Sequence, residues 1–245
     1  MTQAPNRLGR FAVVIPVFNH GRTVRSVIQE VLALHLPVFV VDDGSTDAGR
    51  RMLQNTPGIH LLRHTVNRGK GAALLTGMQA AATTADWAIT LDADGQHHAG
   101  DALVLMGAIA PGTRPIVVGH RTDMRQAGTP WTSRSGRAFS NFWVHLSGGP
   151  SIRDSQSGFR IYPLPEVLHL DVRARRYQFE VEVLVRAAWH RIPVIQAPVS
   201  VTYPIGSARI SHFRPFVDFL RNSATFTRLI IQRVLGLTGK GWRKF

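Results

Sequence analysis

Short apolar runs alternate with segments of helical spacing over the first half of the chain. Phe11 to Phe18 is apolar throughout and reads as a strand buried on both faces. After Asn19-His20-Gly21, residues Val24, Val27, Ile28, Val31 and Leu32 recur at helical spacing, predicting a helix over 22–34. A second buried strand follows at 37–41, then a helix to about Gln54 with Ser45 or Thr46 as its N-cap. A weak strand at 59–63, an alanine-rich helix at 72–82, a strand at 87–91, a helix at 101–109 and a strand at 116–118 complete this half. Such alternation predicts an α/β fold, Rossmann-like, with a mostly parallel sheet flanked by helices. Ligands of these sheets bind beyond the carboxyl ends of the strands. Phe18-Asn19, Asp42-Asp43 and Asp92–Asp94 all fall at strand ends, so they are expected to meet at one cleft.

The second half is patterned differently. A helix over 130–146 carries Arg134 and Arg137 on one face, three residues apart. Another over 177–190 carries Glu180 and Glu182, which do not share a face and are expected to pair structurally. Val194-Ile195 and 199–202 read as a short hairpin. From Phe213 onward, Phe216, Val217, Leu220, Phe226, Leu229, Ile230, Ile231 and Val234 recur at helical spacing, interleaved with Arg214, Arg221, Arg228 and Arg233. A basic amphipathic helix lying in an anionic membrane surface fits that pattern. So does a terminal helix packed on the core with a solvated basic face. Trp242 and Phe245 are candidate interfacial anchors. The chain is therefore divided into a domain over 1–212, with halves at about 11–120 and 121–212, and a tail over 213–245.

Composition narrows the partners. Hydrophobic residues make up 44%, enough for a sizeable core. Lysine and arginine total 29 against 15 acids, a net charge of +14, which calls for an anionic partner. From Pro204 onward there are eight basic residues and one acid, Asp218. The strand-end motifs are acidic and no aromatic–basic RNA motif appears, which argues against a specific nucleic-acid binder. The chain lacks cysteine, excluding thiolate sites and fitting a reducing compartment. No apolar leader is visible within Met1–Arg10, and no run is long enough to span a membrane. A cytoplasmic, membrane-peripheral location is the expectation.

Three stretches carry candidate chemistry. In an extended segment Asp92 and Asp94 point the same way, and two close carboxylates need a cation or donors between them. Oxygen ligands at a strand end suit Mg²⁺ or Mn²⁺ shared with substrate phosphates. An ordinary turn after a buried strand would use the same residues. Asp42-Asp43-Gly44-Ser45 can accept from a base or a ribose, or simply form an acidic turn. Asn67-Arg-Gly-Lys-Gly71 opens a helix with glycines and two cations, a setting for phosphate or only a helix start; it is not a Walker loop.

Taken together, Val14-Ile-Pro-Val-Phe-Asn19, Val41-Asp-Asp-Gly-Ser-Thr-Asp47, Asn67-Arg-Gly-Lys-Gly-Ala72, Leu91-Asp-Ala-Asp-Gly-Gln-His97 and Asp154-Ser-Gln-Ser-Gly-Phe-Arg160 resemble, in order and spacing, the motifs of family 2 inverting glycosyltransferases. The nearest branch looks like the dolichyl- and polyprenyl-phosphate sugar transferases, which have a GT-A fold. The resemblance runs from about residue 11 to 212. It implies that Pro16, Val17 and Asn19 lie beside the nucleotide, that Asp42 and Asp43 are the nucleotide-binding pair whose first member holds the base or ribose, and that Lys70 sits near the donor phosphates. It implies that Asp92, Ala93 and Asp94 form the Asp-x-Asp element, with Asp94 the direct ligand of Mg²⁺ or Mn²⁺. Asp154 and Gln156 then lie under the reacting centre, and Arg121, Arg134, Arg137 and Arg160 in the region that receives an acceptor phosphate. Arg209 closes a late loop in which Tyr203 replaces the family's usual first arginine; His20 likewise stands where the family often has glutamate.

The expected reaction is displacement of a nucleoside diphosphate from a sugar, with inversion, toward a polyprenyl phosphate at a membrane. UDP-glucose, UDP-N-acetylglucosamine and GDP-mannose all fit as donors. A phosphate acceptor is already largely ionised at neutral pH and needs arginines to position it. A hydroxyl acceptor on a lipid or glycan would need a base, for which Asp154 is the candidate. A nucleotidyltransferase or a non-catalytic binding protein on the same fold are the remaining alternatives.

Overall fold

The computed structural model describes residues 8–122, 131–202 and 215–238, the side chains of 131–135 and 215–218 excepted. Seven strands form one sheet: β1 (Phe11–Val17), β2 (Val38–Asp42), β3 (His60–Arg63), β4 (Trp87–Thr90), β5 (Ile116–Arg121), β6 (Arg160–Pro163) and β7 (Val194–Val199). Their order is β3-β2-β1-β4-β6-β5-β7. All neighbours run parallel except β6, which is antiparallel to both β4 and β5. Every residue of β1 and β2 is buried, as continuous apolar runs at the centre of a covered sheet must be. This is the mostly parallel α/β fold expected.

The helices are α1 (Val24–Leu32), α2 (Gly49–Gln54), α3 (Lys70–Ala81), α4 (Ala102–Gly107), α5 (Trp131–Leu146), α6 (Phe179–Trp189) and α7 (Pro215–Val234). One face of the sheet packs on α1 and α4 through Val24, Ile28, Val31 and Leu105. The other packs on α3, α5, α6 and α7 through Leu74, Met78, Val144, Phe179 and Leu184.

Three expectations change. The hairpin near residue 194 does not form. Val194–Val199 is one strand pairing with β5 in parallel register, Ile116 opposite Val194 through Arg121 opposite Val199. Neither Ser45 nor Thr46 caps α2. Asp47 Oδ1 accepts the Gly49 N–H at 3.1 Å, while Ser45 Oγ accepts the Asn19 N–H at 3.0 Å. Finally, α7 shares the core and is no appendage. Phe226 and Leu229 are buried, with Phe226 stacked near Trp143 at 6.2 Å between centroids. Burial of each contributes about 1.5–3 kcal/mol. The opposite side of α7 is apolar too: Leu220, Ile231 and Val234 recur along one stripe and are exposed, as are Phe142 and Leu146 of α5. Among the described residues no helix is long and apolar enough to cross a membrane.

Candidate active site

Register brings the motif loops to one edge of the sheet. Val17 pairs with Asp42 and Val14 with Thr90, so β1, β2 and β4 end together. Because β6 runs the other way, Arg160 lies opposite Thr90 and the loop before β6 (154–158) reaches that same edge. The loops enclose a cleft of about 670 Å³ lined by Pro16, Val17, Asp43, Asp92, Ala93 and Asp94, with Lys70, Arg121 and Gln156.

Charge on the floor is arranged around Lys70. Its Nζ lies 2.7 Å from Asp92 Oδ1, 2.9 Å from Asp92 Oδ2 and 2.5 Å from Glu180 Oε1. Burial alone would lower the ammonium's pKa, but the charges of Asp92 and Glu180 outweigh it and hold Lys70 above the usual lysine value. Burial likewise opposes the Asp92 anion, and Lys70 reverses that, keeping Asp92 below the ordinary carboxylate range. This pair lies directly on Gly158: a Cβ there would stand 2.4 Å from Asp92 Oδ2 and 2.7 Å from Lys70 Nζ. Any larger residue there would push the ends of Asp92 and Lys70 out of this arrangement.

Among the described residues Asp94 has no such ion pair. The Gln96 N–H donates to its Oδ1 at 3.0 Å, yet burial, reinforced by the neighbouring Asp92 charge, pushes its pKa up. A cleft-facing carboxylate short of positive charge suits a cation. Among the described residues no group of three His, Asp or Glu converges as a complete metal cage. Mg²⁺ does not need one, since it takes one or two carboxylates and completes its shell with phosphate oxygens and water. The residues present therefore fit a divalent ion held chiefly by Asp94, with Asp92 largely committed to Lys70.

At the end of β2, Asp43 and not Asp42 lines the cleft. Asp43 accepts the N–H groups of Arg68 at 2.9 Å and Gly69 at 2.8 Å, and His64 Nδ1 lies 2.6 Å away. Asp42 is fully buried, its oxygens taken by Ser45 N–H at 2.8 Å and Arg63 Nε at 3.0 Å. It shapes the turn and does not line the cleft. Asn19 is also turned away, its Oδ1 accepting the N–H of Thr46 at 2.8 Å. Of the two readings of the glycine-rich loop, the helix start is seen, α3 beginning at Lys70. Two of its N–H groups go to Asp43, and that of Ala72 goes to Arg175 O at 2.9 Å, so the loop is braced more than open.

At the end of β5, Arg121 lines the cleft. Asp154 is fully buried and accepts Arg121 Nε at 2.6 Å and Nη2 at 2.9 Å. Burial opposes its charge, but Arg121 prevails, aided by Arg137, and its pKa is lowered. Asp154 is thus no cleft-facing base; its work is to hold the Arg121 guanidinium in place. Arg160 is corrected too. Its guanidinium is buried and donates to the carbonyls of Ser157, Glu180 and Ser155 at 2.7, 2.7 and 2.8 Å, which leaves it structural. Gln156 lines the cleft with Nε2 donating to Ser140 Oγ at 2.9 Å. The side chain of Arg134, and Tyr203 and Arg209 entirely, lie outside the described residues.

Several cleft residues had no sequence signal. Arg176 and Tyr177 sit just before α6, Arg221 comes from α7, and Glu180 faces Lys70 across 110 positions of sequence. His97 lines the cleft beside Asp92 and Asp94, its Nδ1 lying 3.2 Å from Ser200 O. Burial lowers its pKa despite the two carboxylates, so the ring is neutral at physiological pH.

Comparison with known proteins decides the family. The family model described as glycosyl transferase family 2 matches residues 12–163, which covers β1 through β6 and the Asp-x-Asp turn. The chain belongs to this family. As a family 2 glycosyltransferase it is an enzyme, and the nucleotidyltransferase and binding-protein alternatives give way. It is 31% identical over 200 residues to an uncharacterised protein of Methanocaldococcus jannaschii, covering 78% of this chain and 81% of that one. It is 28% identical over 213 residues to the UDP-N-acetylglucosamine–dolichyl-phosphate N-acetylglucosaminyltransferase of Methanococcus voltae, covering 78% and 85%. Among solved structures, glucosyl-3-phosphoglycerate synthase of Mycobacterium tuberculosis, in complex with Mg²⁺ and UDP, superposes with a TM-score of 0.66 at 21% identity. That match covers 92% of this chain and 79% of that one, and establishes the GT-A fold for this glycosyltransferase.

Proposed function

We propose that this glycosyltransferase moves a sugar from a nucleoside diphosphate donor to a lipid-borne phosphate, of the polyprenyl phosphate class, with inversion at the anomeric carbon. The observation that carries the reading is Arg121, a cleft-lining guanidinium braced by a buried carboxylate. With Nε and Nη2 given to Asp154, the guanidinium is held in one orientation, and its charge together with those of Arg176 and Arg221, which line the same cleft, suits a phosphate. An acceptor phosphate oxygen would form the bond to the anomeric carbon as the bond to the donor diphosphate breaks, and the nucleoside diphosphate leaves. That nucleophile arrives ionised, so Asp154 needs no role as base. Its burial and its lowered pKa argue against the alternative in which it activates a hydroxyl.

A divalent ion on Asp94 would neutralise charge developing on the departing diphosphate. Lys70 keeps Asp92 ionised beneath it, and Asp43 fixes the loop that carries Lys70. The name of the Methanococcus voltae relative supports a UDP-linked donor and a lipid phosphate acceptor. Mg²⁺ with UDP in the Mycobacterium tuberculosis neighbour supports the cation. A test is to incubate the protein with Mn²⁺, undecaprenyl phosphate and UDP-glucose, UDP-N-acetylglucosamine or GDP-mannose, then extract lipid. One donor should leave its sugar in the lipid phase; sugar remaining in water for all three would reject the reading.

The exposed apolar stripe of α7, with Phe142 and Leu146 nearby and a strongly basic C-terminal region, supports peripheral binding to the anionic inner face of a cytoplasmic membrane. Cutting the tail away would not test this cleanly, because Phe226 and Leu229 would leave the core with it. Replacing Leu220, Ile231 and Val234 together by serine spares the core. We expect that variant to lose co-sedimentation with anionic vesicles by roughly tenfold or more, each apolar side chain contributing about 1.5–3 kcal/mol when buried in lipid. Undiminished pelleting would remove the stripe from the membrane account.

A further inference from the structure

Glu180 and Glu182 sit in the first turn of α6, about 200° apart around the helix, and serve different neighbours. Glu180 faces Lys70 and the cleft. Glu182 is fully buried on the other side. Its Oε1 accepts Arg186 Nε at 2.7 Å and the Arg173 N–H at 3.3 Å. Its Oε2 accepts the Ala174 N–H at 2.9 Å and Arg228 Nη2, from α7, at 2.6 Å. One carboxylate therefore ties together α6, the segment before it and the C-terminal helix.

The contacts continue from that segment to the cleft. Arg175 O accepts the Ala72 N–H at 2.9 Å. A Cβ on Gly69 would lie 2.5 Å from the same oxygen, and one on Gly71 would lie 2.6 Å from Phe179 Cβ. Arg176 Nη1 donates to Asn67 Oδ1 at 3.3 Å. Arg176 and Tyr177 then line the cleft beside Gly69 and Lys70. The Lys70 loop leans without clearance on residues 174–179, and Glu182 anchors that segment to α7. A buried carboxylate stripped of a charged donor reorganises its remaining contacts.

We propose that Arg228 is a positioning residue for the donor half of the cleft. Through Glu182 it holds residues 173–177 against the Lys70 loop, making α7 a support of the nucleotide site as well as a surface helix. The proposal rests on the cleft being the nucleotide site. It separates α7's two roles, since the exposed stripe meets lipid while Arg228 works without any.

The test uses the full chain in lipid-free buffer, titrated calorimetrically with UDP and with GDP in the presence of Mn²⁺. Arg228→Ala should weaken the binding of whichever nucleotide the unmodified protein takes by roughly tenfold, within the usual range of coupling between sites. Arg228→Lys should recover part of the loss. Arg233→Ala, which removes another α7 tether, from Arg233 Nη1 to Leu146 O at 2.7 Å, should leave affinity unchanged. Where Arg228→Ala does not fold, Arg228→Met, closer in length, takes its place with the same expectation. Undiminished affinity in the folded Arg228 variant, or an equal loss in Arg233→Ala, overturns the proposal. If the unmodified protein binds neither nucleotide, the reading of the cleft falls and this proposal with it.

Discussion

Replacing Asp94 by asparagine should cut sugar transfer by roughly a thousandfold or more while the fold survives. Among the described residues Asp94 is a cleft carboxylate with no ion pair, so on the proposed reading it is the group whose loss would remove the cation. Charge stabilisation by a bound metal is worth several kcal/mol, and about 4 kcal/mol corresponds to a thousandfold. The stability expectation runs the opposite way. Folding raises the Asp94 pKa, through burial first and the Asp92 charge second. A carboxyl raised in this way stabilises the fold fully only below its unfolded pKa and loses that contribution as pH rises. At neutral pH, without divalent cation, the asparagine variant should therefore melt at the same temperature as the unmodified protein or higher. Transfer is read by lipid extraction and stability by thermal unfolding. Activity within tenfold of normal would contradict the metal role; a collapsed melting temperature would mean that Asp94 holds the fold.

Lys70→Met should be strongly destabilising. It leaves Asp92 and Glu180 together without their shared cation, and breaking a buried pair from one side costs about 3–5 kcal/mol. The pH dependence follows from the signs. Lys70 is held above the usual lysine value, so its contribution is complete at neutral pH and fades only at strongly alkaline pH. Asp92 is held below the usual carboxylate value, so its share is present at neutral pH and fades as acid titrates it. In the variant burial is no longer opposed by Lys70, and Asp92 can escape part of the cost by taking up a proton. Denaturant unfolding should therefore show a large deficit at pH 7.5 that shrinks at about pH 5, near the ordinary carboxylate range. A deficit independent of pH would point to lost packing in place of lost charge.

Much of the donor half was legible because buried parallel strands are written as unbroken apolar runs, and the motifs stand where those runs stop. Asp43, Asp92, Asp94 and Lys70 meet for that reason. The roles of individual polar residues were less legible. Asp42 and Asn19 occupy motif positions as fully as Asp43 does, yet only Asp43 lines the cleft, although its oxygens too accept backbone N–H groups. Only the path of the loop decides which carboxylate faces outward. Pairings across long separations left no trace: Lys70 with Glu180, Arg121 with Asp154, and Glu182 with Arg228. The parallel pairing of Val194–Val199 with β5 was missed because local pattern carries no register. In α7 the repeat of apolar residues was visible, but Leu229 in the core and Ile231 in solvent are indistinguishable by hydrophobicity alone.

On the proposed reading arginines, and not a base, prepare the acceptor. This reading is tested most directly by offering the protein its donor and Mn²⁺ with either undecaprenyl phosphate or undecaprenol. The account predicts sugar in the lipid phase and release of nucleoside diphosphate with the phosphate alone. Equal or faster transfer to undecaprenol would contradict it.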